Sequence, residues 1–397
     1  MTNVMKILIL TADAGSGHRS AAQALETALL QQYGTSVHVT VRNPVHHPHA
    51  PGFFRHAEEF YIDLVRYVPD VYDWLHEVTD QRLPVALMSQ GAYQATRTAL
   101  REILAEAHPD VVISVYPLFT ALVAVAYRDM AMRPGLISVV TDLGAVHRFW
   151  FARHDDYCVV PTVEARTKAI NCGLDPQKVV IAGIPVHPRF GRPRADVATL
   201  RAGLGWQPDL PTVLLIGGGA GVGQIGKMAQ AINAARLPLQ LAIVAGRNRE
   251  LAAKLRAQHW NGPAHIYDFV PLADLMHAAD IVATKAGGLS VSEALAAGRP
   301  LLLHGAAPAQ EGGNLVHVVA NGAGAHAPDA ETAVAQLREW LQHPDALARA
   351  TAAARELGRP EAAHQIADLA WQLGSDRPRA MPLSIPSSLG KWLASRL

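Results

Sequence analysis

The chain of 397 residues is poor in several features that mark common protein classes. Its two cysteines, Cys158 and Cys172, are too few and too isolated for a disulfide framework or a thiolate metal site. Lysine and arginine number 35 against 34 aspartates and glutamates, so the chain lacks the basic excess that a nucleic-acid binder needs. We therefore expect a protein of a reducing compartment with no nucleic-acid partner.

Long hydrophobic runs are also scarce. The uncharged run between Asp110 and Arg128 is slightly short for a membrane-spanning helix, and Pro117 interrupts it. A strand VVISVY, a turn at the proline and a buried helix account for it better. The run MKILIL near the start is too short for a signal-peptide core and has no cleavage pattern after it, so we expect it to form the first strand.

Short runs rich in Val, Ile and Leu alternate with stretches of helical period along most of the chain. This order is typical of a mostly parallel sheet covered by helices on both faces. A proline-rich break divides the pattern, so we expect an α/β fold of two units with a cleft between them. The predicted strands are KILILTA, VHVTVR, VVISVY, LISVVTD, DYCVVPT and VVIAGIP before the break, and TVLLIGGG, QLAIVAG, AHIYDFV, IVATKAG and PLLLHG after it.

The same pattern sets the predicted boundaries. We place an N-terminal unit at 1–190, a linker at 191–211, a C-terminal unit at 212–375 and a tail at 376–397. The tail is proline-rich and then amphipathic, and its sequence does not decide whether it packs back on the first unit or stays loose.

Each unit opens with a strand, a glycine-rich loop and a helix. In the first loop, TADAGSGH, Gly15 and Gly17 flank Ser16 and leave room for a ligand beside the chain, and His18 follows at a helix start. The unpaired amides at such a start suit an anion or a polarised oxygen. The second loop, residues 217–226 with Gly218 and Gly219, serves either a phosphate or a tight turn. Neither loop reads GxxxxGK followed by Ser or Thr, and no acidic residue ends a strand about 20 residues beyond either, which argues against P-loop and dinucleotide sites.

A stronger group of residues lies in DIVATKAGGLSVSEALAAGRPLLLHGAAPAQEGGN. Amides near a helix start here would meet a diphosphate, and a carboxylate one turn inward could hold the two hydroxyls of a ribose. Ser290 and Glu293 also have the spacing of a capping box, which would be a purely structural role. The candidate donor-binding residues of this stretch are Lys285, Gly287, Gly288, Leu289, Ser290 and Glu293, with Gln310, Glu311 and Asn314 on the loop after the next strand.

These stretches, with SVYPL, TDLGAVHRFWF and PTVEARTKAINCGLDPQKVVIAGIPVHPRF, resemble glycosyltransferase family 28 over roughly residues 6–325. The nearest resemblance is to its monogalactosyldiacylglycerol synthases and processive diacylglycerol glucosyltransferases. It implies a GT-B fold, two Rossmann-like domains facing across a cleft, with UDP held mainly by the C-terminal one. It also implies inverting, metal-independent transfer of a hexose from a UDP-sugar to diacylglycerol, without a cofactor, by a peripheral enzyme at the cytoplasmic face of a membrane. No Asp-x-Asp pair, which would hold a metal on the diphosphate, occurs in the chain.

The resemblance also implies roles for single residues. His18 matches the family's base, which takes a proton from the acceptor hydroxyl, and a histidine suits that role near neutral pH. Asp142, His147 and Trp150 match an acceptor-side segment, although they could equally form a polar turn with the indole packed beneath. Phe269 and Val270 look like the uracil-binding stretch or, alternatively, a buried strand end.

Two departures from the family pattern stand out. Ser16 replaces a glycine that many relatives carry, so its side chain bears on how closely the acceptor approaches this loop. Ala309 stands where a glycine is common, directly before Gln310 and Glu311, the residues to which the resemblance assigns sugar contacts.

Residues 53–75 are the predicted membrane contact, through Phe53, Phe54, Phe60, Tyr61, Leu64, Tyr67, Val68 and Trp74. The same residues could form a helix packed on its own domain. The N-terminal half is slightly acidic, so we expect docking that is weak and mainly hydrophobic.

Three other functions stay open at this point: a non-hydrolysing UDP-sugar epimerase, a transferase with a different lipid acceptor, and a nucleotide-sugar-binding regulatory protein. The residues do not fix the sugar, the number of sugars added or the oligomeric state.

Overall fold

The computed structural model describes residues 4–13, 17–52, 68–127, 130, 133–144, 146–151, 155–217, 225–305 and 311–376. Within these ranges the chain forms twelve strands and fourteen α-helices, arranged in two sheets. The predicted tail, after its first residue Asp376, lies outside the described residues.

The first sheet is entirely parallel, in the order β2-β1-β3-β4-β5-β6. Its central strands are buried on both faces, which explains why they are continuous apolar runs rather than alternating ones. The strands are β1 (Met5–Leu10), β2 (Val37–Arg42), β3 (Val111–Ser114), β4 (Gly135–Val139), β5 (Tyr157–Val160) and β6 (Val179–Ile181).

Five described helices from the first half of the chain belong to this unit: α1 (Gly17–Tyr33), α2 (Pro69–Thr79), α3 (Arg82–Ala107), α4 (Pro117–Tyr127) and α5 (Val163–Asn171). The uncharged run after Asp110 forms β3 and the buried helix α4, as predicted. Pro117 is the first residue of that helix, where its missing N–H costs nothing. No helix in the described ranges is both long and apolar enough to cross a membrane.

The second sheet is also parallel, in the order β12-β11-β10-β7-β8-β9. Its strands are β7 (Thr212–Ile216), β8 (Gln240–Val244), β9 (Ala264–Tyr267), β10 (Ile281–Thr284), β11 (Leu301–Leu303) and β12 (Gly324–His326). The helices of the second half are α6 (Val197–Leu204), α7 (Ile225–Ala234), α8 (Arg249–Ala257), α9 (Ala273–Ala278), α10 (Gly288–Ala296), α11 (Gly312–Ala320), α12 (Ala330–Gln342), α13 (Pro344–Leu357) and α14 (Ala362–Ser375).

The segment expected to be an irregular linker contains helix α6. Asp196 caps it, and Arg201 on its buried face donates a hydrogen bond of 2.6 Å to Asp280 beside the second sheet. Leu200 and Leu204 pack against the core of the same unit. Most of the predicted linker is therefore an integral part of the second unit.

Helix α14 lies on the first unit, although the sequence assigns it to the second. Its alanines and Ile366 join the core formed by β1, β3 and α1. Tyr33 stacks on Trp371 with ring centroids 4.2 Å apart and donates a hydrogen bond of 2.6 Å to Asp368. The chain thus returns to its first unit near residue 358, earlier than the predicted boundary after residue 375.

Both sheets reverse their winding direction at one point, between β1 and β3 and between β7 and β10. Loops leaving the carboxyl ends of such neighbouring strands diverge and open a crevice, which is where open α/β sheets bind ligands. The loop before His18 and the one before Gly288 each follow a strand at this point. The sheet topology therefore predicts a ligand site at these two loops.

Candidate active site

The two loops meet directly across the cleft. A Cβ atom on Gly17, at the start of α1, would lie 3.8 Å from the Cβ of Leu289, in the first turn of α10. A Cβ on Gly288 would lie only 2.3 Å from the carbonyl oxygen of Thr141, after β4. The N-termini of α1 and α10 therefore form one site, and only glycine fits at the closest approach.

His18 is positioned by contacts with residues that follow strands β3 and β4. Its Nδ1 donates a hydrogen bond of 2.8 Å to the carbonyl oxygen of Val115 and lies 3.2 Å from Oγ1 of Thr141. A carbonyl oxygen can only accept, so Nδ1 carries the proton and the lone pair of the neutral ring is on Nε2. The tautomer is thus fixed with Nε2 as the basic atom.

Burial lowers the pKa of His18 from 6.5 to about 4, and the bond to Val115 only partly opposes this effect. The imidazole is therefore neutral at physiological pH. A neutral ring with one nitrogen already committed to a carbonyl is ready to accept a proton at the other.

Helix α10 starts without a side-chain cap. Its N-cap is Gly287 in an extended conformation, and Ser290 lies inside the first turn. The alternative capping-box role of Ser290 and Glu293 is therefore wrong, because the N-cap is Gly287, three residues before the N-cap position that this pairing would give to Ser290. Helical geometry leaves the amides of Gly288, Leu289 and Ser290 without an intrahelical partner, so the positive end of the helix faces the cleft.

Glu293 is buried one turn inside α10, at 9% exposure. Burial alone raises its pKa to about 8, and no described residue donates a hydrogen bond to it. Further buried polar atoms without a partner in the described structure lie close by in sequence, at Ser292, at Thr284 on β10 and at His304 after β11. Such atoms are costly unless something supplies the missing hydrogen bonds, so this edge of the sheet is suited to a polar ligand.

Lys285 and Glu311 form an ion pair of 2.5 Å at the mouth of the same site. The glutamate is buried, whereas half of the lysine side chain is exposed. A Cβ on Gly287 would contact both side chains, at 3.4 to 3.6 Å. The pair thus lines the glycine turn, and the lysine can reach an anion there by leaving its partner.

Asn314 ties the segment after β4 to the glycine turn before α10. Its Oδ1 accepts a hydrogen bond of 2.7 Å from the amide of Leu143, and its Nδ2 donates one of 2.9 Å to the carbonyl of Ala286. The side chain is fully buried. In this structure Asn314 therefore holds the acceptor-side segment against the glycine turn, and its predicted contact with the donor would need a rearrangement.

Asp142 and Trp150 lie beside His18. The indole Nε1 donates a hydrogen bond of 3.2 Å to Asp142, and its ring centroid is 6.3 Å from that of His18. Trp150 is nearly fully buried in the core next to β5, as in the alternative of a packed indole. The tautomer of His18 is set by Val115, and Asp142 accepts the hydrogen bond of the indole that packs beside the base.

His147 points toward helix α2 instead. Its Nδ1 accepts from the amide of Phe149, and its Nε2 lies 3.2 Å from Oγ1 of Thr79 at the end of α2. Asp80, which the sequence did not single out, anchors the same region: it accepts bonds of 2.6 Å from the amide of Arg148 and 2.8 Å from Nζ of Lys168.

The groups around Asp80 lower the pKa of its carboxyl. Burial would raise its pKa, but the hydrogen bonds from Lys168 and from the Arg148 amide, with the lysine charge, outweigh burial and lower the pKa below its ordinary value. The ionised carboxylate thus fixes the turn between α2 and α3 to the acceptor-side segment.

Phe269 follows edge strand β9 and is 62% exposed, which excludes the alternative of a core position for this ring. Val270 is partly buried against the core beside it. The guanidinium of Arg247 lies 5.1 Å from the ring centroid of Phe269. An exposed ring with a cation over it is a platform for a planar group.

Helix α2 presents an apolar face. Val68, just before the helix, and Val71, Trp74, Leu75 and Val78 on it are all 40% exposed or more, with Trp74 at 63%. Their spacing of three and four residues places them on one side. Of the predicted membrane contact, Val68 and Trp74 are thus exposed, and residues 53–67 lie outside the described residues, as do Gly15, Ser16, Gly218, Gly219, Ala309 and Gln310.

Solved structures share this architecture. A crystal structure of a putative UDP-N-acetylglucosamine 2-epimerase from Listeria monocytogenes superposes with a TM-score of 0.62 at 15% identity, covering 95% of this chain and 98% of that one. MurG of Acinetobacter baumannii gives 0.61 at 15% identity, covering 93% and 99%. The predicted GT-B fold is confirmed.

Sequence comparison is more specific. A family model for monogalactosyldiacylglycerol (MGDG) synthase matches residues 18–186, and one for the glycosyltransferase family 28 C-terminal domain matches residues 212–366. A probable monogalactosyldiacylglycerol synthase 2, chloroplastic, from Oryza sativa subsp. japonica is 32% identical over 371 residues, covering 91% of this chain and 79% of the relative. The chain belongs to the monogalactosyldiacylglycerol synthase family, and it is a glycosyltransferase.

Proposed function

We propose that the protein transfers a hexose from a UDP-sugar to the free hydroxyl of diacylglycerol, with inversion at the anomeric carbon and without a metal in the chemical step. One observation carries this proposal: the neutral imidazole of His18 lies beside the uncapped N-terminus of α10. A proton acceptor and a diphosphate site are thereby brought together, as glycosyl transfer requires.

The donor would bind along the second unit. Amides of Gly288 to Ser290 and the positive end of α10 stabilise the diphosphate, with Lys285 as a mobile cation nearby. Ribose hydroxyls would donate to the buried carboxylate of Glu293, which no described group satisfies. The uracil would stack on Phe269, beside Arg247.

The acceptor would enter from the first unit. Nε2 of His18 takes the proton of the hydroxyl as its oxygen attacks the anomeric carbon. The C–O bond to UDP breaks on the opposite face of the sugar, which inverts the configuration. The negative charge that develops on the leaving UDP is stabilised by the helix amides, so this arrangement supplies the electrostatic role that a metal would otherwise serve.

The exposed face of α2 supports docking to a membrane surface. Its valines and Trp74 would enter the interfacial region of the bilayer. Asp80, directly after α2, is hydrogen-bonded to the amide of Arg148 and so links the position of this helix to that of the acceptor-side segment. The rice relative is named a chloroplastic protein; for this chain we propose peripheral attachment at the cytoplasmic face. Galactose is the sugar proposed first, because the curated relative is named for it.

The test uses purified full-length protein, diacylglycerol vesicles and a panel of UDP-sugars, with UDP release and glycolipid measured separately. A monohexosyl lipid from one UDP-sugar supports the proposal, and UDP-galactose is the expected donor. A Trp74→Ser variant should bind vesicles less and keep its affinity for UDP. Isomerised UDP-sugar without a lipid product would support an epimerase instead.

A further inference from the structure

Two histidines and a glutamate outside the cleft direct their side-chain atoms at one point. Nδ1 of His49 lies 2.5 Å from Oε2 of Glu102, and Nε2 of His47 lies 3.6 Å from the same oxygen. One ligand atom from each of the three side chains lies within 4.8 Å of the others. The donor set is two imidazole nitrogens and one carboxylate oxygen.

The histidines are positioned by a tight turn. The amide of Ala50 donates a hydrogen bond of 2.9 Å to the carbonyl of His47, closing a turn with Pro48 at its second position. Proline there fixes the backbone angle, so the two histidines are held at the first and third positions of a rigid turn. Val45, just before them, is buried in the core.

Glu102 approaches from a separate element. It lies on α3, and its neighbours Ile103 and Leu104 are buried in the same core cluster that contains Val45. Both halves of the group are therefore anchored to one core, and their separation is set by packing rather than by two free side chains.

We propose that His47, His49 and Glu102 bind a divalent transition-metal ion, with Zn²⁺ as the best match. Zinc takes imidazole nitrogen and carboxylate oxygen at about 2.0–2.2 Å, so ligand atoms around a tetrahedral ion lie a little over 3 Å apart. The pair at 3.6 Å nearly meets this spacing, and the pair at 2.5 Å has to open by less than about 1 Å. Water would complete the coordination.

Metal binding at His47 requires a change of its tautomer. Its Nδ1 accepts a weak hydrogen bond of 3.3 Å from the amide of His49. Binding a metal through Nε2 moves the ring proton to Nδ1, so this bond is given up. The ion would replace it with a stronger link between the turn and α3.

The position of the site indicates a structural role. The ion would tie α3, which follows the apolar helix α2, to the segment after β2. Asp13 lies close to this segment, contacts Asn43 at 3.2 Å and His46 at 3.4 Å, and forms an ion pair of 3.0 Å with Arg19, the residue after His18. Metal binding would thus stiffen the acceptor side of the first unit, whereas the proposed diphosphate site lies on the second.

The test is Zn²⁺ titration of the metal-free full-length protein by calorimetry, together with the thermal unfolding midpoint. We expect one ion per chain, a rise in the midpoint with Zn²⁺, and affinity reduced at least tenfold in His49→Ala and Glu102→Gln. His364→Ala is the matched control, because His364 pairs with Glu361 at 2.9 Å and the described part of the chain adds no third metal-ligating side chain to that pair. Its zinc affinity should equal that of the wild type.

Equal zinc affinity and stoichiometry in the wild type, His49→Ala and Glu102→Gln would overturn the proposal and show an adventitious ion only. Should a variant fold poorly, X-ray absorption of the zinc-loaded wild type decides the matter. Two imidazoles and a carboxylate around the ion support the site, and any other ligand set contradicts it.

Discussion

Replacing Glu293 with glutamine should stabilise the ligand-free protein and weaken its binding of UDP. Burial raises the pKa of this carboxyl from 4.5 to about 8. Between these values the folded chain keeps a proton that the unfolded chain has released, so the free energy of unfolding falls as pH rises through that window. Glutamine is neutral at every pH and removes this dependence.

The magnitude follows from the size of the shift. Each pKa unit corresponds to about 1.4 kcal/mol, so the penalty at pH 7 is of order 3 kcal/mol, and at pH 5 it is below about 1 kcal/mol. The stability advantage of Glu293→Gln over the wild type should therefore grow by roughly 2 to 3 kcal/mol between pH 5 and pH 7.

Urea unfolding of both proteins at pH 5, 6, 7 and 8 measures this difference. A difference that stays constant over the series would mean that Glu293 is already ionised in the folded protein, which contradicts a raised pKa for this carboxyl. Calorimetry with UDP gives a second reading: ribose hydroxyls favour the carboxylate, so the wild type should release a proton on binding at pH 7 and the variant should not. The affinity for UDP should fall about tenfold or more in the variant.

Three further predictions concern the cleft and its acceptor side. His18→Ala should lower turnover by about 10²-fold or more, with the affinity for UDP unchanged. In the wild type, kcat/KM should decline on the acidic side near pH 4, because the lowered pKa of His18 keeps its imidazole neutral down to that pH. Gly288→Ala should abolish most transfer, since its Cβ would lie 2.3 Å from the carbonyl of Thr141 and push the units apart. Asp80→Asn should raise the KM for diacylglycerol vesicles severalfold and leave the KM for the donor unchanged, because it loosens the α2–α3 turn.

Each of these has its own control or contradicting result. Gly203→Ala places a methyl group in open space within helix α6 and should leave transfer intact. An acidic limb near pH 6.5 would show that His18 is not the titrating base, and unchanged turnover in His18→Ala would remove it from the mechanism. For Asp80, an equal rise in the KM of donor and acceptor would indicate a general loss of structure.

Most strands could be read from the sequence because buried parallel strands are continuous apolar runs with glycines or prolines at their ends. Strand β12, Gly324–His326, was missed since it is short, at an edge and without a large apolar residue. Helix α6 was missed because prolines surround it. No local sequence pattern predicts that α14 packs on the first unit. Its packing depends on contacts between residues far apart in the chain, such as Tyr33 with Trp371.

The candidate site was predictable where a strand, a glycine turn and a helix start follow one another, as they do before His18 and Gly288. The tautomer of His18 could not be predicted from the sequence, because the group that fixes it is the backbone carbonyl of Val115, which no side chain marks. The anchor at Asp80 was likewise invisible, since its partners lie 68 and 88 residues away.

A crystal structure with UDP bound would show directly whether the start of α10 holds the diphosphate beside His18. We expect diphosphate oxygens within hydrogen-bond distance of the amides of Gly288, Leu289 and Ser290. We also expect ribose hydroxyls on Glu293, and Nε2 of His18 facing the space beyond the β-phosphate. A diphosphate bound away from the start of α10, or a His18 ring turned away from the nucleotide, would contradict this arrangement.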